Sequence, residues 1–239
     1  MNDFAVARRR MVREQIAGAG IDDARVLKAM EEVPRHLFVP KLLHHRAHQP
    51  CALPIGFGQT ISKPFTVGLM STLLELKGHE HVLEIGTGSG YQGAVLTRLA
   101  QSVVSVERIA PLADRAKGTL AKLGYDNITV LAHDGVCGLA DFAPFDAVMV
   151  TACAPYLPPH LVSQLKDGGL LLIPVNKGRE QILYRYRRQG AEVLIEQSVS
   201  CRFVPLLPGV EKTGCDSQPA SAQAAQAGKE PSGPEDHLA

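Results

Sequence analysis

From residue 82 onward, apolar positions come in short runs separated by stretches with a helical period. The runs at 82–85, 103–107, 128–131, 146–150 and 170–174 alternate with helix-like segments near 90–100, 110–123 and 158–166. Strands buried on both faces read as continuous apolar runs, and strand–helix alternation predicts a parallel sheet with helices on both sides. After Asn176 the period drops to two. Ile182, Tyr184 and Tyr186 alternate with Arg185 and Arg187, Gln189-Gly190 turns the chain, and 192–199 returns as a partner strand. That predicts an antiparallel hairpin on the same sheet. The expected class is α/β, with a Rossmann-like, mostly parallel, doubly wound sheet that ends in antiparallel C-terminal strands.

Upstream, residues 5–19 have helical character. Asp22 is placed to cap a second helix carrying Val26, Leu27, Met30 and Val33, which Pro34 ends. Residues 41–50 read as a helix end and loop. Leu53 to Pro64 is rich in Gly, Pro and small polar residues and reads as loop, docked by Ile55, Phe57 and Ile61. A helix is expected from about Phe65 to Leu76. Residues 1–80 therefore pack as helices and a loop on a core formed by 81–209, in one compact domain. Residues 210–239, rich in Ala, Gln, Gly, Ser and Pro, are expected to be a disordered tail.

The strand at 82–85 runs into Gly86-Thr87-Gly88-Ser89-Gly90, and a helix pattern starts at Tyr91. A glycine turn feeding a helix N-terminus brings free N–H groups and a partial positive charge close to a ligand. The dinucleotide fingerprint would put its third glycine at position 91, which is Tyr91. Here it is Gly90, and Glu84 precedes the first glycine by two. The pattern E-x-G-x-G-x-G resembles motif I of Rossmann-like S-adenosylmethionine methyltransferases. That cofactor carries an ammonium and a sulfonium but no pyrophosphate, so an acid at the strand mouth suits it. Two more acids fall at strand ends. Glu107 can accept from both ribose hydroxyls, and Asp134, before Gly135, from an adenine amino group.

Composition removes other classes. A net charge of +1 with mixed signs gives no electrostatic footprint for nucleic acid or an anionic membrane. No apolar run approaches a membrane span, and Arg8-Arg9-Arg10 followed by Glu14 is no signal core, so a cytoplasmic protein is expected. Five scattered cysteines, none at C-x-x-C spacing, read as reduced thiols. His44, His45 and His48 read as a solvated helix end, and no metal is expected.

Further segments are specific: Val33-Pro34-Arg35-His36-Leu37-Phe38-Val39-Pro40, Leu53 through Ser62, Val106-Glu107-Arg108, Pro144-Phe145-Asp146-Ala147 and Arg202 through Leu206. On these the chain, from about residue 11 to 209, resembles the protein-L-isoaspartate O-methyltransferase family. Gly58-Gln59-Thr60-Ile61-Ser62 is more telling than the glycine turn. The resemblance implies the S-adenosylmethionine-dependent methyltransferase fold and a protein repair enzyme. Such an enzyme methylates the α-carboxylate of L-isoaspartyl residues in damaged proteins and peptides, and is expected here as a monomer. It puts the active-site serine on Ser62. It puts the cofactor on Gln59, Thr60, Ile61, Ser62, Glu84, Gly86, Thr87, Gly88, Ser89, Gly90, Glu107, Asp134 and Gly135. The Val204 region would present backbone groups to the substrate. Phe57 and Cys153 stand where Tyr and Ala are more usual. A methyltransferase of the same fold acting on another carboxylate or a small-molecule acceptor, and a cofactor-binding protein without catalysis, remain as alternatives.

Overall fold

The computed structural model describes residues 3–212. Helix α1 (Asp3–Met11) runs on through a π turn and a 3₁₀ turn to Ala19, and is followed by α2 (Ala24–Glu32). The cap of α2 is Asp23, not Asp22. The Asp23 carboxylate accepts from the Arg25 and Val26 N–H groups at 2.9 and 3.2 Å, the reach of the residue just before the first turn.

The expected loop over 53–64 contains a hairpin. Strands β1 (Leu53–Gly56) and β2 (Gln59–Ile61) pair antiparallel across a two-residue turn. Phe57 and Gly58 both take positive φ, 54° and 68°, as tight hairpins require. Half of that demand falls on a phenylalanine, so no Asn-Gly or Gly-Gly pair marks the turn in the sequence. The Arg115 side chain donates to the Ile55 carbonyl and holds the hairpin down.

Helix α3 (Pro64–Leu73) leads into the alternating core: β3 (His81–Ile85), α4 (Tyr91–Leu96), β4 (Ser102–Glu107), α5 (Ala110–Lys122), β5 (Ile128–Ala132), β6 (Phe145–Val150), α6 (Pro159–Ser163), β7 (Leu165–Lys177), β8 (Glu180–Gln189) and β9 (Glu192–Cys201). The sheet order is β5-β4-β3-β6-β7-β8-β9. Pairings from β5 through β7 are parallel, and β8 and β9 are antiparallel additions. β7 starts five residues before the expected 170, because Leu165 already pairs with Phe145. The winding reverses beside β3, which has β4 on one side and β6 on the other. Loops leaving β3 and β6 diverge there and open a crevice.

Alternation along the strands divides the interior. Val82, Val103, Met149 and Leu172 face a core shared with Met11, Met30, Val67 and Leu112, so the N-terminal helices and the sheet have one interior. Leu83, Val104, Val148 and Ile173 face a second core with Leu139 and Leu161. The histidines differ from a solvated helix end. His45 is exposed, but His36 stacks on Phe4 with centroids 4.2 Å apart, and His44 and His48 pack round the same pair. Burial first, then the neighbouring His36, pushes His48 down to about 4. No helix among the described residues is long and apolar enough to cross a membrane.

After β9 the chain crosses the carboxyl ends of three strands. Leu206 N–H donates to Cys153 at 2.8 Å, Gly209 N–H to Asp134 at 2.7 Å and Glu211 N–H to Arg108 at 2.7 Å; Ala110 N–H returns to the Glu211 carbonyl at 2.9 Å. Arg108 and Glu211 also form an ion pair at 3.1 Å. The chain is thus engaged beyond residue 209, where the tail was expected to begin; residues 213–239 lie outside the described residues. A chain ending at Gly209 should unfold about 1–2 kcal/mol more easily than one ending at Lys212, from two backbone hydrogen bonds and a part-exposed ion pair. Chemical denaturation of the two truncations checks this, and equal stability would show that Val210–Lys212 contributes nothing.

Candidate functional site

The glycine turn is clamped between strand ends. Gly86, Gly88 and Gly90 take φ of 99°, 54° and 88°. The N–H groups of Gly86 and Thr87 donate to the Val106 carbonyl at 2.8 and 3.2 Å. From the other side Thr151, the first residue past β6, donates its hydroxyl to the Gly86 carbonyl at 2.7 Å, with the Ile85 carbonyl at 3.0 Å. A Cβ on Gly86 would lie 2.3 Å from Thr151 Oγ1, so the close approach requires glycine there.

The three strand-end acids separate. Glu107 lines the crevice. Its Oε2 accepts from Gly88 N–H at 2.9 Å and its Oε1 from Ile109 N–H at 3.1 Å. Burial raises its pKa, and those two N–H groups pull it back. A carboxylate so held keeps lone pairs for two neighbouring hydroxyls.

Glu84 does not line the crevice, contrary to the expectation that it meets a cofactor cation. It lies one residue before the strand end, on the face toward α4, fully buried. Its Oε2 accepts from Ser105 Oγ at 2.5 Å, and Ser105 Oγ lies 2.5 Å from Thr87 Oγ1. Its Oε1 has no hydrogen-bond partner among the described residues. Burial first, and the nearby Glu107 charge, push Glu84 up to about 8 against the pull of Ser105. It is a neutral brace under the loop. Asp134 is also committed elsewhere: it caps the following turn through Val136 N–H at 2.9 Å and accepts Gly209 N–H at 2.7 Å. Gly135, next to it, does line the crevice.

The crevice has three connected chambers. The first is lined by Ile85, Val106, Glu107, Ile109, Gly135, Ala152, Leu206 and Leu207, with Gln59 and Val204. The second is lined by Gln59, Thr60, Ile61, Ser62, the Gly86–Ser89 turn, Tyr91, Gln92, Glu107, Thr151 and Val204. The third, about 510 Å³, opens outward past Lys63, Phe65, Leu69, Cys201, Arg202 and Phe203. Thr60, Ser62, Thr151 and Val204 line both the second and the third. Gly90 is the one glycine of the turn that lines neither inner chamber; it starts α4 and packs against Ala116 and Leu120.

Ser62 sits at this junction half-buried. The residue capping α3 is Lys63, which makes no side-chain cap bond, so Ser62 is not spent on the helix. Its hydroxyl has no hydrogen-bond partner among the described residues, while its carbonyl accepts from Arg35. Thr151 and Tyr91 were missed in sequence. Thr151 occupies the strand-end position that flagged the acids, but a threonine there carries no charge to draw notice.

The two inner chambers fit S-adenosylmethionine by their donor set. The first is apolar enough for a flat base, and Glu107, which lines both, has lone pairs free for a pair of neighbouring hydroxyls. The basic side chain lining them, Arg108, is already paired to Glu211, which leaves a pyrophosphate without a free cation. No group of three or more His, Cys, Asp or Glu among the described residues could hold a metal ion.

The chain is similar to known proteins along most of its length. Residues 7–211 match the family model described as protein-L-isoaspartate(D-aspartate) O-methyltransferase. The chain is 51% identical over 208 residues to protein-L-isoaspartate O-methyltransferase 2 of Geotalea uraniireducens, covering 87% of this chain and 96% of that protein. It is 49% identical over 206 residues to the protein-L-isoaspartate O-methyltransferase of Geobacter metallireducens, covering 86% and 95%. A solved protein-L-isoaspartate O-methyltransferase superposes with a TM-score of 0.75 at 27% identity, over 82% of this chain and 65% of that one. A putative protein-L-isoaspartate O-methyltransferase from Plasmodium falciparum, solved with S-adenosyl-L-homocysteine, superposes at 0.73 and 23% identity over 84% and 98%, a likeness of fold.

Proposed function

The chain belongs to the protein-L-isoaspartate(D-aspartate) O-methyltransferase family, and from that premise we propose how its cleft works. It is an S-adenosylmethionine-dependent repair methyltransferase that acts on the α-carboxylate of L-isoaspartyl residues in proteins and peptides. The observation that carries the proposed geometry is the junction at Thr60, Ser62, Thr151 and Val204, where the inner chambers meet the open one. Methyl transfer happens there.

S-adenosylmethionine, when bound, supplies a methyl group on a sulfonium that departs as a neutral thioether. Gln59, Thr60, Ile61, the turn residues Gly86, Thr87, Gly88 and Ser89, Glu107 and Gly135 hold it; Glu84, Gly90 and Asp134 act one step back by bracing the turn and its surroundings. The acceptor carboxylate, with an ordinary pKa of about 3.5–4, is already ionised at neutral pH. It needs no general base, and Thr60, Ser62, Thr151 and Val204 provide none. Lys63 and Arg202 rim the outer chamber, whose lining contains no carboxylate. They draw in an anionic acceptor and lose that attraction once it becomes a neutral ester. The uncommitted Ser62 hydroxyl donates to the acceptor carboxylate and sets its line of attack; orientation of this kind can supply several orders of magnitude.

The deciding experiment offers label-bearing S-adenosylmethionine with paired peptides of one sequence containing L-isoaspartate or L-aspartate. Base-labile label should appear on the isoaspartyl peptide alone. Equal labelling of both peptides, or labelling only of small acids, would replace this reading with a methyltransferase for another acceptor.

A further inference from the structure

We propose that Arg35 is a positioning residue for methyl transfer, fixing the backbone at Ser62 and thereby aiming its hydroxyl. This rests on the role given to Ser62 above.

The Arg35 side chain is completely buried. Its Nε donates to the Ala47 carbonyl at 2.7 Å and its Nη2 to the Ser62 carbonyl at 2.6 Å. The guanidinium carbon lies 4.8 Å from the centroid of the Tyr91 ring. Among the described residues no carboxylate pairs with it; Nη1 meets no acceptor at hydrogen-bond geometry, and the side chain that most supports its charge is the Tyr91 phenol. A buried cation without a counter-ion is costly, and a well-packed apolar side chain of similar size is often at least as stable. Packing alone therefore does not account for an arginine. What a guanidinium adds is a rigid fork whose donors meet two acceptors at a fixed angle. One tine holds the segment after the 41–46 turn; the other holds the junction serine.

Local structure leaves Ser62 dependent on that bond. The last ladder pair of the hairpin is Leu53 with Ile61. The next helix begins at Pro64, which has no N–H to donate, and its cap residue makes no side-chain bond. Between them the Ser62 carbonyl is fixed by Arg35, which sets the orientation of the 62–63 peptide and with it the direction of the Ser62 Cα–Cβ bond. The same guanidinium lies over Tyr91, the first residue of α4, which lines the second chamber. Arg35 thus registers the serine against the helix that follows the glycine turn, while lining none of the three chambers itself.

The test is a double-mutant cycle in the full chain, with Arg35→Lys, Arg35→Met, Ser62→Ala and the combined variants. Lysine keeps the charge but offers one compact donor in place of the fork. Methionine removes the buried charge together with both donors, so Tm is measured for each variant and kcat is compared at equal folded fraction. Each Arg35 variant should lower kcat by roughly tenfold, with S-adenosylhomocysteine affinity by calorimetry and peptide KM within about twofold. In the Ser62→Ala background neither should lower kcat further, because the group being aimed is gone. Losses that multiply would overturn the proposal, as would wild-type turnover in both Arg35 variants, activity that falls only with the folded fraction, or failure of both to fold. Normal turnover in Ser62→Ala alone would overturn the Ser62 reading as well, and is seen in that single variant.

Discussion

Glu84→Gln should remove a steep pH dependence of stability, with the natural chain losing ground to the variant as pH rises from 5 to 8. The carboxyl is pushed from 4.5 up to about 8, by burial first and then by Glu107, against the Ser105 hydrogen bond. In the unfolded chain it ionises near the ordinary value. A raised carboxyl contributes stability that is fully present below about pH 4.5, falls as the unfolded state ionises, and is gone once pH passes about 8. At about 1.4 kcal/mol per unit, the whole interval is worth on the order of 5 kcal/mol. Glutamine cannot titrate and keeps an oxygen for the Ser105 donor. Guanidinium unfolding of both proteins at pH 5, 6.5 and 8 gives the difference directly. A difference that does not change with pH would mean that Glu84 ionises normally. Glu107 is also raised by burial and is present in both proteins, so it cancels. Because Glu84 does not line the crevice, the variant should bind S-adenosylhomocysteine as the natural chain does at pH 7.

Gly86→Ala should be the most damaging small substitution in the glycine turn. Two effects combine. A φ of 99° strains any residue with a Cβ, at about 1–3 kcal/mol, and the new methyl would stand 2.3 Å from Thr151 Oγ1. Relief requires Thr151 to rotate off the Gly86 carbonyl or the turn to lift from β6, and either change deforms the second chamber. We expect a stability loss of about 3 kcal/mol or more and cofactor affinity down by at least tenfold. Thr151→Ala separates the causes. With the hydroxyl gone, the nearest remaining atom of that side chain is 3.6 Å away, so the cost of Gly86→Ala should shrink to the backbone strain alone. Costs that add without coupling would show that the clash is relieved elsewhere.

The repeating strand and helix runs, the glycine turn and the C-terminal hairpin were legible in the sequence because each is written in neighbouring residues. An apolar run of strand length, a glycine where φ must be positive and a period of two all act within a few positions. Ser62 and Gly58-Gln59-Thr60-Ile61 were legible through resemblance, and the structure sets four of those five, Gln59 to Ser62, along the crevice.

Which acid lines the crevice was decided by the tertiary structure. Glu84, Glu107 and Asp134 all read as strand-end carboxylates, yet Glu84 is level with Ser105, two residues short of Glu107 on the same face of the sheet, so depth along the strands separates a crevice-lining acid from a brace. Glu107 ends β4 and meets the turn. Glu84 stops one residue short of its strand end and turns toward α4 and Ser105. Asp134 is taken by a cap and by Gly209, whose approach depends on a segment 75 residues away. The junction itself joins Ser62, Thr151 and Val204, and the bond that aims Ser62 comes from Arg35, 27 residues upstream. Contacts at that range follow from how the sheet winds and where its order reverses, and no local period encodes them.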